Sequence, residues 1–175
     1  MLPGEAAVLV LDTNVVLDLL YFDDAPARPL RQAIEAGRVR CAVSNATLDE
    51  WRRVLTYPEF ALDATRQAAL VDRYRSLALP RLAVAELPRQ RTPVHDGSKS
   101  VRHRMPLCRD PDDQKFIELA AAVHAQGLVS KDNAVLGLRR RCAPCFRVMT
   151  PAEALRWLAA QPVQTGDLRQ PVSAG

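Results

Sequence analysis

The sequence predicts an α/β domain built on a mainly parallel sheet, and three observations carry that prediction. Val8-Leu9-Val10-Leu11 is an unbroken apolar run rich in β-branched residues, as in strands covered on both faces. Short apolar runs then alternate with segments of helical period, the pattern of repeated strand–helix units. The chain's 175 residues, 48% hydrophobic and 25% charged, suffice for one globular domain with an adequate core. The expected organisation is a single domain over residues 1–160, carrying a long basic loop at 87–109, and a frayed polar tail at 161–175.

Each element has its own local cause. Asp12 falls at the carboxyl end of the first strand, and Val15, Val16, Leu19 and Leu20 mark the helix that follows. Leu30 to Ala36 forms a short helix stopped by Gly37, and Val39 to Val43 a second strand. Ser44-Asn45 opens a helix through Leu48, Trp51, Val54 and Leu55 that Tyr57-Pro58 breaks. Ala64 to Leu77 repeats the helical period, and Leu82 to Val84 suits a brief strand. Pro88 to Arg109 has no sustained periodicity and reads as a long loop. Asp110-Pro111 is a strong helix start, and Phe116, Ile117, Ala120 and Val123 carry that helix to Gly127. Leu128-Val129-Ser130 is a strand, Val135 to Leu138 a short helix, and Phe146 to Met149 the last strand. Thr150-Pro151-Ala152-Glu153 opens the closing helix with a capping box.

Composition narrows the function classes. No run of about 18 apolar residues exists, which argues against a membrane span. The N-terminal MLPGEAAVLVLD lacks the basic segment of a signal peptide, so a cytoplasmic protein is expected. Twenty-four Lys and Arg against twenty Asp and Glu give a net charge of +4, which permits a nucleic-acid partner without demanding one. Cys41, Cys108, Cys142 and Cys145 are too few and scattered for a disulfide scaffold, and Cys142-Ala-Pro-Cys145 lacks nearby soft ligands for zinc. They read as ordinary buried or loop cysteines.

The acids carry more information. Asp12 ends the first strand, Glu50 lies in the helix after the second, Asp110, Asp112 and Asp113 open a helix, and Asp132 follows the Leu128–Ser130 strand. In a parallel sheet these places face the crevice beyond the carboxyl ends of the strands, where ligands bind. Carboxylates crowded there repel one another unless a cation compensates them, and Mg²⁺ or Mn²⁺ is the natural compensation. Each acid also has a structural reading. Asp12 or Thr13 suits an N-cap, Asp110 to Asp113 complement a helix dipole, Asp132-Asn133 suits a turn, and Thr47-Leu48-Asp49-Glu50 matches a capping box that would occupy Glu50.

Leu11-Asp12-Thr13-Asn14-Val15 after an apolar strand, Glu50 within TLDEWRRVL, Arg109-Asp110-Pro-Asp-Asp113 before a helix, and Ser130-Lys131-Asp132 after a strand together resemble the PIN-domain ribonucleases. The likeness is greatest to the VapC-like branch of toxin components of toxin-antitoxin systems. It covers about Val8 to Leu158. The resemblance implies a three-layer α/β/α sandwich with a central mainly parallel sheet, and Mg²⁺- or Mn²⁺-dependent endonucleolytic cleavage of single-stranded RNA. It maps acids onto Asp12, Glu50 and Asp132. For the third acid, Asp113 projects with Ile117 and Ala120, whereas Asp112 projects with Phe116 and Leu119; the spacing favours Asp113. Asp110 is a further metal ligand or the cap. Asn14 and Ser130 match polar positions that place acids or water. Lys131 departs from the commoner small residue and could contact phosphate. A cognate antitoxin and a homo-oligomer are the protein partners the resemblance admits.

Between Leu87 and Arg109, Arg89, Arg91, Lys99, Arg102, Arg104 and Arg109 stand against the single acid Asp96, a balance that favours binding an RNA backbone. Arg139 to Arg141 are the next candidates for that path. Two other functions stay open: a non-catalytic PIN-like module that binds RNA or a protein, and a metal-dependent phosphohydrolase. Against the latter, DTNVV lacks the second acid of a DxD phosphatase.

Overall fold

The computed structural model describes residues 6–78 and 105–161. Its order is β1 (Ala7–Leu11), α1 (Thr13–Leu20), α2 (Arg28–Glu35), β2 (Val39–Ala42), α3 (Asn45–Leu55), α4 (Ala64–Leu77), α5 (Gln114–Ala122), β3 (Gly127–Val129), α6 (Asn133–Leu136), α7 (Arg139–Cys142), β4 (Arg147–Met149) and α8 (Pro151–Ala159). The four strands form one all-parallel sheet in the order β2-β1-β3-β4.

Two-residue alternation makes β1 the centre of both cores. Leu9 and Leu11 pack with residues of α1, α2, α3 and α8 on one face, including Leu19, Leu30, Trp51 and Ala154. Val8 and Val10 point the other way, against Phe116, Ile117 and Ala120 of α5, Val135 of α6 and Cys142 of α7. A continuous apolar strand was required because helices cover both of its sides. The result is the expected sandwich of helices, sheet and helices.

Local signals set most boundaries. Gly37 adopts φ +69° just beyond α2, a conformation that L side chains rarely take. Three sequence expectations need correction. The helix beginning near Asp113 ends at Ala122 rather than reaching Gly127, because His124 turns left-handed at φ +50° and Ala125 N–H bonds Ala120 O at 2.9 Å. Gly127 instead opens β3, where an added Cβ would stand 2.5 Å from Met149 Cε. The capping box of α3 is formed by Ser44 and Thr47, one turn before the Thr47–Glu50 box expected, which frees the Glu50 side chain. The single short helix before β4 is two, α6 and α7.

The Leu82–Val84 strand, most of the basic loop and the tail beyond residue 161 lie outside the described residues. Met105 to Arg109, at the loop's end, has no regular structure; its Cys108 N–H donates to Gln114 Oε1 at 2.8 Å, and Met105 and Cys108 pack on the α5 side. Cys41 and Cys142 are buried, Cys145 is exposed, and none of the four cysteines forms a disulfide. No described helix is long and apolar enough to cross a membrane.

Candidate functional site

The site is assembled where β1 and β3 end side by side. Asp12 N–H donates to Val129 O at 2.9 Å, extending the β1–β3 pairing by one residue and placing the Asp12 carboxylate at the joint rim, only 3% exposed. Asp12 occupies the N-cap position of α1, but its side chain makes no cap bond. Instead it accepts from Asn14 Nδ2 at 2.9 Å and from the hydroxyl of Ser130, which is fully buried. Ser130 Oγ in turn receives Asp132 N–H at 2.9 Å, and Asn14 Oδ1 receives Lys131 N–H at 3.3 Å. Asn14 and Ser130 thus lace the two strand ends together around one carboxylate.

Asp132 caps α6 by accepting Ala134 N–H at 2.6 Å on Oδ1, while its Oδ2 makes no hydrogen bond among the described residues. Asp110 likewise caps the 3₁₀ turn Pro111–Asp113, accepting Asp112 N–H at 2.9 Å. That cap lets the chain enter α5 with Asp113 at its N-terminus and no side-chain bond to hold the Asp113 carboxylate. Asp112 is turned outward, 73% exposed, towards Arg53 at 3.8 Å. Of the two candidates for the third acid, the one facing the cluster is therefore Asp113.

Electrostatics show the convergence. Burial first, then the charges of Asp12, Asp132, Asp110 and Glu50 in that order, push the Asp113 carboxyl up to about 7. Burial also raises Asp12, against the hydrogen bonds from Ser130 and Asn14 that lower it. A raised folded-state value means that the folded chain holds protons the unfolded chain releases, so both groups cost stability as pH rises, Asp113 between about 4 and about 7. In metal-free buffer, Asp113→Asn should therefore gain melting temperature over the natural chain at about pH 8 and much less at about pH 5. Equal gains at both pH values would show that Asp113 is not under this repulsion.

Three ion pairs at the rim were not foreseen. Glu50, on α3, accepts from Thr13 Oγ1 at 3.4 Å on Oε1, while its Oε2 is held by the Lys115 ammonium and by Arg53 Nη2 at 3.3 Å. Lys131, expected to face phosphate, reaches back to Asp18 of α1 at 2.7 Å and keeps nearly half of its side chain exposed. Lys115 follows Asp113 by two residues, but nothing local could reveal a partner 65 positions away. Of the expected RNA-binding residues, Arg89, Arg91, Lys99, Arg102 and Arg104 lie outside the described residues, and Arg109 is exposed at the loop's end.

The donor set suits a hard divalent cation: partly buried carboxylates whose charges bear on Asp113, with free oxygens on Asp113 and Asp132. Among the described residues no three such side chains are gathered closely enough to grip an ion as they stand.

A parallel sheet with acids meeting at its carboxyl rim places them in the crevice where α/β proteins of this class bind their ligands. The family described as PIN domain matches residues 8–134, and the chain belongs to that family. PIN domains are typically nucleases that use divalent metal ions and bind nucleic acid. No curated protein and no solved structure gives a match.

Proposed function

We propose that the protein is a Mg²⁺- or Mn²⁺-dependent endoribonuclease acting on single-stranded RNA. One observation carries the reading: five carboxylates from four separate stretches of chain meet at one rim, where burial and the other four charges together raise Asp113 to about 7. Asp12, Glu50, Asp113 and Asp132 would hold the ion, with Asp110 as a further ligand or only the cap. The bound ion would supply an activated water and charge stabilisation at the phosphate.

The chain's own residues do the rest. Asn14 and Ser130 fix Asp12 and, through the Ser130 hydroxyl, the backbone of Asp132. Lys131 and the arginines of the 87–109 loop would hold the RNA backbone, an interaction that is tight yet indifferent to base. No protein nucleophile is required. The toxin role, a cognate antitoxin over the acidic rim, a homo-oligomer and a cytoplasmic location rest on the resemblance to VapC-like proteins alone.

The test is incubation of the purified chain with single-stranded RNA, with Mn²⁺ and with EDTA, beside Asp12→Asn. RNA bound but intact at every Mn²⁺ concentration would leave a non-catalytic RNA-binding PIN module. If growth of a host is unaffected by inducing a chain that cleaves RNA in vitro, the toxin role fails and the nuclease stands.

Lys115 gives a second check on the same site. It compensates Glu50 in the metal-free chain, so Lys115→Met leaves a largely buried carboxylate without its ammonium and should lower metal-free stability by about 1–2 kcal/mol. The same change removes a competitor for Glu50, and Mn²⁺ should bind more tightly by calorimetric titration. Weaker binding would mean that Lys115 holds Glu50 in place for the ion instead of screening it.

A further inference from the structure

The aromatic group Tyr21, Phe22 and Phe60 lines an open apolar groove, but nothing in the structure indicates what covers it. The buried thiols Cys41 and Cys142 are pushed up to about 12 and about 11, chiefly by burial, which keeps them protonated. The free edge of the sheet is different.

β4 is the last strand of the sheet, and on its outer side α7 and α8 leave an open cavity of about 350 Å³. Arg139 of α7, Arg147 of β4 and Arg156 of α8 line it, with Trp157 and the single acid Glu153. Glu153 is already committed: it bonds Thr150 N–H at 2.7 Å and Thr150 Oγ1 at 2.9 Å, and takes the guanidinium of Arg139. Arg139 Nε is buried with no partner. Arg147 and Arg156 are exposed and form no ion pair among the described residues.

We infer that this cavity is a second contact for the RNA strand, in which Arg139, Arg147 and Arg156 hold phosphates and Trp157 stacks a base. The inference rests on the nuclease reading above. Three cations from three elements converge on one concavity with at most one opposing charge, which is the electrostatic footprint of a polyanion. An indole beside them is the companion feature of single-strand grooves, where stacking works with any base. Position agrees as well. β4 lies two strands from β1, roughly 10 Å across the sheet at the usual inter-strand spacing, and Arg147 opens β4 level with Gly127, so a strand seated at the acidic rim reaches the cavity by running over the β3–β4 edge. An acidic protein segment would satisfy the arginines but would leave Trp157 without a stacking partner.

The experiment uses the full chain in EDTA, a mixed-sequence single-stranded RNA, and poly-glutamate as the competing anion. Arg147→Gln with Arg156→Gln alters only exposed side chains. It should weaken RNA binding several-fold and lower the slope of log K against log salt by about 1.4, at about 0.7 per lost phosphate contact on a single strand. Trp157 emission should be quenched by RNA, and Trp157→Phe should abolish that response because the remaining Trp51 is fully buried. Poly-glutamate should not quench it. An unchanged salt slope in the double variant overturns the proposal, as does a Trp157 response to poly-glutamate equal to that with RNA. Cleavage in Mn²⁺ separates the two readings: a chain that cuts RNA with the slope unchanged loses only this cavity, whereas a lowered slope without cleavage by any chain keeps the cavity and removes the nuclease.

Discussion

Asp12→Asn should reduce Mn²⁺-dependent RNA cleavage by about 10³-fold or more and leave the fold intact. Charge stabilisation by a bound ion is worth several kcal/mol, and each 1.36 kcal/mol is a factor of ten in rate. Asp12 is the innermost acid and the one on which Asn14 and Ser130 both converge, so no neighbour can take its place. Asparagine keeps an oxygen for those two donors. It also removes one charge from the set that raises Asp113, and the metal-free melting temperature should stay level or rise. Calorimetric titration should show weakened Mn²⁺ binding alongside the lost cleavage. Mn²⁺ binding equal to that of the natural chain would remove Asp12 from the metal site, and a collapsed melting temperature would make its role structural.

Trp51→Ala should cost about 3–5 kcal/mol, the usual loss for emptying a fully buried large aromatic site. Trp51 has no exposed surface, donates Nε1–H to Leu70 O at 3.3 Å, and meets Tyr74 edge-to-face with centroids 5.8 Å apart. It fastens α3 to α4 and packs with β1 residues in the same core, so the helix carrying Glu50 depends on it. A domain typically has only about 5–15 kcal/mol in reserve, and the melting temperature should fall by about 10 °C. Trp51→Phe keeps most of the ring and should lose much less. Urea unfolding measures both, and a loss for Trp51→Ala below about 1 kcal/mol would mean that α3 is held from elsewhere.

Much of this architecture is legible because its causes are local. The Val8–Leu11 run, the glycine after α2 and the Thr150–Glu153 box each act within a few residues, and each predicts the element that forms, whereas Asp110-Pro111, expected to open the helix itself, opens a 3₁₀ turn that leads into α5 at Gln114. Boundaries fail where two local signals compete. Both Ser44 and Thr47 can cap a helix, and the choice fell to Ser44 because β2 delivers that residue in an extended conformation, with φ −112° and ψ 168°. The α5 exit failed similarly: glycine is the obvious stop, but a left-handed His124 stops the helix earlier, and Gly127 is needed where Met149 presses on the sheet.

By itself, then, the sequence determined the α/β class, the strand ends and helix starts on which the acids sit, and the wider candidate set Asp12, Glu50, Asp110, Asp112, Asp113 and Asp132, since strand period and helix start are properties of neighbouring residues. Only the tertiary structure decided that Asp113 faces the cluster while Asp112 faces Arg53, that Lys115 covers Glu50, and that Lys131 turns to Asp18. Those choices depend on the order β2-β1-β3-β4, which sets β1 directly beside β3 and brings together side chains 65 and 113 positions apart. Charges meeting across such separations are paired by where the sheet places them, and no periodicity in the chain records it.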